Sequence, residues 1–211
     1  MAAEFRYREI DSLRGLAVLL MVMVHAAAIW SPKLSTDTSS LSYIVAGLGG
    51  LAAPLFVTIF GWGLIKSRSN NRSSIIKAMI LLILQILVNL SSPQLYQPLS
   101  PGILSLFAVL IILKPLIVKI STSRTIFLLF WLLILLFYAV NNILFNIQGE
   151  NNWDFRTNTE NLSMVISHLI LTGTYPVLPW ICYAVVGAFL GSSITEGGKT
   201  LPRNSTTLLI M

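Results

Sequence analysis

Asp11, Arg14 and His25 are the residues of this sequence best placed to do chemistry. They fall at the mouth and in the interior of one apolar segment, which opens Arg8-Glu9-Ile10-Asp11-Ser12-Leu13-Arg14-Gly15. On an α-helix each residue advances about 100° and rises about 1.5 Å. Arg14 and His25 are eleven positions apart, so they lie within roughly 20° of each other and about 16 Å apart along the axis. Asp11, three positions before Arg14, falls on a neighbouring face. One stripe therefore joins a carboxylate and a guanidinium at one end to an imidazole toward the other. The first pair suits an anionic ligand, and the imidazole accepts a proton near neutral pH. An ionisable group inside a membrane helix is costly and marks a function by default. The plainer reading stands beside it. Arg8 and Arg14 anchor the helix at the interface, Asp11 neutralises Arg14 or caps the helix start, and His25 only packs. Apolar residues surround the segment, so either orientation of His25 agrees with the sequence.

The elements that must position these residues follow from composition. The chain has 211 residues, 55% of them hydrophobic and 10% charged, and a mean hydropathy of +0.79, too apolar for a soluble domain. Apolar runs of roughly 18 residues, the length that crosses a bilayer, recur along it. They are uniform and do not alternate, which implies helices and excludes barrel strands. The fold class expected is an all-α polytopic transmembrane bundle of about six spans. The single Cys182 excludes an intrachain disulfide framework, and no metal-ligand spacing is present, so no metal is expected.

The spans are expected near 12–30, 43–64, 74–90, 102–118 and 125–145, with Pro54 kinking the second. The sixth reads as broken. Leu162 to Leu171 is too short to cross, Thr172 to Pro179 interrupts it, and Trp180 to Ile194 is apolar again. Irregular backbone at membrane depth usually lines a cavity. The domains expected are an N-terminal segment 1–11, a membrane domain 12–194, and a tail 195–211 whose last six residues resemble the start of a seventh span. Of the fourteen lysines and arginines, twelve fall on the side of the N-terminus and only Lys33 and Arg156 on the other. That bias makes the N-terminus cytoplasmic, in a multi-pass protein expected in the cell membrane. The net charge of +6 sits in short loops between spans, which argues against nucleic acid. Trp30, Trp153 and Trp180 are read as interfacial belt residues.

Ile10-Asp11-x-x-Arg14-Gly15, with His25 eleven residues beyond the arginine, resembles the first helix of the membrane acyltransferase superfamily. Within it, three further pieces resemble the heparan-α-glucosaminide N-acetyltransferase-like proteins: Ala53-Pro54-Leu55-Phe56 through Gly61-Trp62-Gly63-Leu64, Gly102-Ile103-Leu104, and Tyr175-Pro176-Val177-Leu178-Pro179-Trp180 through Gly187 to Gly191. The resemblance covers about residues 8 to 194. It implies transfer of an acetyl or other acyl group from cytosolic acetyl-CoA to a hydroxyl or amine of a sugar at the opposite face. It makes His25 the general base or the acyl carrier, assisted by Asp11, which holds Arg14. Arg14, Arg8 and Arg72 would meet the phosphates of the donor, and His168 and Trp180 would lie on the acceptor side. The partners implied are membrane lipid and a small-molecule or glycan acceptor, with self-association an open alternative. Two rivals remain at this level. A broken helix and one protonatable histidine also suit a small proton-coupled transporter or flippase. A non-catalytic relative acting as a structural subunit is the other.

Overall fold

In a computed structural model, residues 7–30, 40–67, 69–144 and 152–193 are described. The expected seventh-span start, Lys33, and the side chain of Trp30 lie outside them. Nine α-helices and one π-helical turn account for the described elements: α1 (Arg8–Trp30), α2 (Ser40–Lys66), α3 (Asn71–Ser91), α4 (Ile103–Ile112), α5 (Lys114–Thr122), α6 (Arg124–Leu144), α7 (Trp153–Thr157), α8 (Leu162–Ser167), the π turn (His168–Thr172) and α9 (Val177–Ser193). The architecture is all-α. Four stretches are long and apolar enough to cross a membrane, within α1, α2, α3 and α6. Two bent pairs, α4 with α5 at 69° and the 162–172 segment with α9 at 44°, bring the number to as many as six where each pair counts as one span.

The broken last span stands where Thr172 to Pro179 interrupts the apolar pattern. The break in the fourth span was not foreseen. There the helix stops at Leu113, and Lys114-Pro115 starts a new one, with proline at a position that does not require a donor. α4 alone has ten residues, about 15 Å, which is half the hydrocarbon thickness. Its end and all of α5 lie level with the turns of the face where α1 begins. Lys114 bonds to the α2–α3 turn, and Ser192 of α9 donates to the Ser121 carbonyl at 3.0 Å. Pro54 does not interrupt α2, which runs through it.

α4 is buried nearly all round, and Leu106, Ala108 and Leu110 are fully enclosed at the centre of the main core. The tightest packing is between α2 and α9. A side chain on Gly61 would collide with the Ala184 carbonyl, and one on Gly187 would collide with the Thr58 carbonyl. The two backbones therefore touch, which in lipid is the principal route to close helix association. α1 lies outside this core and leans on α2 through Tyr7, Ile10 and Ala17 against Ile59 and Trp62, with Tyr7 edge-on to Trp62 at 5.8 Å.

At the opposite face the polar groups are knitted together. Asn89, 1% exposed, donates to the carbonyls of Pro98 and Ser100 at 3.0 and 2.8 Å and accepts from Gln85 at 2.9 Å. Gln85 accepts in turn from the Leu104 amide at 3.1 Å, which satisfies a free donor of the first turn of α4. A side chain on Gly102 would strike the Gln85 amide at 2.7 Å and displace it from this bond. Gln97 accepts from Thr159 N and Oγ1, and Ser100 donates to the Thr157 carbonyl, so α7 is tied to the 92–102 loop. α7, a five-residue helix capped by Asn152 within the polar stretch after α6, was not expected.

Candidate functional site

A cavity of about 480 Å³ opens at the face where α1 begins, a size typical of small-ligand sites, which run to roughly 300–1,000 Å³. Its walls are apolar: Val18 from α1, Phe56, Ile59, Phe60 and Leu64 from α2, and Ile111 from α4. Its polar groups are Arg14, Lys77 and Lys114, with Ser67 and Ser69 from the α2–α3 turn. Gly63 contributes wall without bulk, since nothing lies within 4 Å of where its Cβ would be. Three cations beside apolar walls suit a ligand with anionic groups at one end and an apolar arm at the other.

Arg14 is half exposed, at 52%, and donates from Nη1 to Asp11 Oδ1 at 3.0 Å. An ion pair this exposed adds about 0–1 kcal/mol, so its main effect is to set the direction of the guanidinium. Arg8 and Arg72 are exposed on the same face and do not line the cavity. Arg72 gives its backbone amide to the Asn70 side chain at 3.2 Å, capping α3.

His25 is exposed on α1 and does not line the cavity. It continues the stripe that does: Val18 lines the cavity, and His25, seven residues on, is displaced by only about 20° around the axis and about 10 Å along it. Its Nδ1 lies 2.8 Å from the Met21 carbonyl oxygen. A carbonyl only accepts, so a hydrogen bond there puts the proton on Nδ1 and leaves the lone pair on Nε2.

His168 and Trp180 belong to the opposite face and to different surroundings. His168 is 2% exposed, bonded through Nδ1 to Thr172 Oγ1 at 2.7 Å and stacked edge-on against Phe155 at 5.4 Å. The π turn exists because Gly173 N reaches back five residues to the His168 carbonyl at 2.9 Å, and a side chain on Gly173 would run into that carbonyl. Trp180 is half-buried beside Tyr175 and Tyr183, at ring distances of 5.2 and 5.5 Å.

Lys77 and Lys114 are the site residues that sequence reasoning missed, because both were read only as part of the charge bias. The signal available was their position. Lys77 is seven residues into an apolar helix, and Lys114 interrupts an apolar run just before a proline, where an ionisable side chain has a functional reading by default.

The fold defines a multi-pass helical membrane protein, with a cavity at one face whose lining suits an amphipathic anion. The catalytic family of heparan-alpha-glucosaminide N-acetyltransferase matches the chain over residues 6–209, and the chain belongs to that family. Its function is accordingly membrane N-acetyltransferase-like. No curated protein and no solved structure matches it at a significant level.

Proposed function

We propose that this chain is a membrane acyltransferase. It takes an acetyl or other acyl group from a coenzyme A thioester at the face where α1 begins and passes it to a hydroxyl or amine, such as that of a sugar, at the opposite face. The observation that carries this reading is the α1 stripe, which lines the cavity with Arg14 and Val18 and continues to the exposed imidazole of His25, whose Nδ1 lies against the Met21 carbonyl. The bias of lysine and arginine makes that face cytoplasmic, the side on which the donor is available.

The cavity fits such a donor by its chemistry. Its cations suit phosphates, and its apolar walls suit the arm that bears the thioester. Arg14, steadied by Asp11, provides a directed guanidinium, and Arg8 and Arg72 add positive field around the entrance. When bound, the thioester supplies an activated acyl carbon: its C–S bond breaks as the acyl C–O or C–N bond forms, and the sulfur leaves as a thiol. His25 Nε2 takes the proton of the acceptor and returns it to the departing sulfur, so no proton is gained or lost. The same lone pair is equally suited to carrying the acyl group between two half-reactions. On the acceptor side, Trp180 with Tyr175 offers an aromatic surface, while His168, walled in, frames that side of the bundle.

Acyl transfer from labelled acetyl-CoA, measured with protein in membranes, tests the reading. His25→Ala is expected to lower the rate by roughly 10²–10⁴-fold, the usual contribution of a positioned acid–base group. Transfer by the variant at the wild-type rate would remove His25 from the reaction.

A further inference from the structure

The cavity holds an unbalanced charge. Among the described residues Arg14, Lys77 and Lys114 line it and no carboxylate does; Asp11, the partner of Arg14, lies outside the lining. A lysine that serves only as a membrane anchor extends its stem toward the headgroups. Lys114 does not. Its Nζ donates to the Ser67 carbonyl oxygen at 2.5 Å and toward Ser69 Oγ at 3.4 Å. Ser69 is itself fixed, through contacts of 3.2 Å with both Ser67 Oγ and Ser74 Oγ. An ammonium has three donors, so at least one is left for a ligand. Lys77, an exposed residue of α3, lines the same cavity. Two like charges along one cavity wall beside Phe60 and Ile111 repel each other, and an anion between them relieves the repulsion.

We infer that Lys77 and Lys114 form a clamp for a phosphate group, seated on the Ser67–Ser69 turn, with the apolar part of the same ligand lying along Phe56, Phe60 and Ile111. If the transferase reading holds, that phosphate belongs to the acyl donor, and the clamp, rather than Arg8 or Arg72, sets donor affinity. The same chemistry fits the headgroup of an anionic phospholipid, and the clamp itself asks only for the phosphate.

The test uses the full chain in nanodiscs of neutral lipid, titrated calorimetrically with CoA and with pantetheine, which lacks all phosphates. Lys77→Gln leaves the Ser67–Ser69 turn untouched; Lys114→Gln and Lys114→Arg complete the set, each checked for an unchanged melting temperature. The clamp requires wild type to bind CoA more tightly than pantetheine. Each glutamine variant should lose roughly tenfold or more of CoA affinity, as expected for hydrogen bonds to charged groups, with arginine restoring part of it. Equal CoA affinity in wild type and Lys77→Gln would overturn the clamp and leave the transferase reading standing. Absence of CoA binding, with melting raised by anionic lipid in wild type and not in Lys77→Gln, would keep the clamp with a lipid ligand and remove the donor reading. Response to neither ligand would overturn the clamp.

Discussion

The two faces of this bundle use polar residues in opposite ways. At the opposite face Gln85, Asn89, Ser100 and Gln97 find their partners within the chain and join α3, α4 and α7 into one closed network. At the face where α1 begins, Arg14, Lys77 and Lys114 line an open cavity. The two histidines differ in their surroundings as well. His168 is enclosed and bonded through Nδ1 to a neighbouring hydroxyl, with its Nε2 buried and unpartnered among the described residues, while His25, toward the far end of α1, is exposed and bonded to a carbonyl of its own helix. Polarity at membrane depth is costly in both places. The network of Gln85 and Asn89 offsets that cost within the fold, whereas the cations at the other face line an open cavity.

The contrast is broken most directly by exchanging the fates of the histidines. His25→Ala should reduce transfer by roughly 10²–10⁴-fold without altering the melting temperature. His168→Ala should do the reverse, lowering the melting temperature while transfer per folded molecule stays within a few-fold of wild type. Thermal unfolding and a transfer assay on the same samples separate the two, and matching profiles would erase the distinction between the histidines.

A smaller effect is expected within the closed network. Asn89→Ala strips donors from the Pro98 and Ser100 carbonyls and should destabilise the protein by about 1–3 kcal/mol, read from denaturant unfolding. CoA affinity at the other face should stay unchanged. The smallest effect concerns pH. Tyr96, in the 92–102 loop, packs edge-on against Trp153 at 5.5 Å, and burial raises its hydroxyl above the ordinary tyrosine value. A raised folded-state value means that stability is fully present below the unfolded tyrosine value, about 10, and is lost as pH rises through the folded one. Alkaline titration followed by tryptophan fluorescence should therefore show a late transition that Tyr96→Phe abolishes.

Much of this was legible in the sequence. The spans at α1, α2, α3 and α6 follow from apolar length, and the interruption before α9 from Thr172 to Pro179. The polar network was not, since Gln85 and Asn89 share a helix face but their partners lie nine to nineteen residues away, in the following loop and the first turn of α4. The break at Leu113 was hidden because the apolar run continues on both sides of Lys114-Pro115. The cavity was hidden for a related reason. Charge bias counts lysines by side of the membrane, whereas only tertiary packing decides that Lys77 and Lys114 line the cavity while Arg8 and Arg72 do not. The orientation of His25 escaped because α1 is apolar nearly all round and its described packing, Tyr7, Ile10 and Ala17 chiefly against α2, lies near its start.

The central claim is that the cavity walled by α1 and α2 is where the acyl donor binds. Val18 lines it, whereas Leu19, 69% exposed, points away by about 100°. Acetyl-CoA binding should therefore be measured calorimetrically for Val18→Trp and Leu19→Trp in the same nanodiscs. The expected result is that Val18→Trp fills the cavity and abolishes binding, while Leu19→Trp binds as wild type does. Equal binding by both variants would contradict the claim.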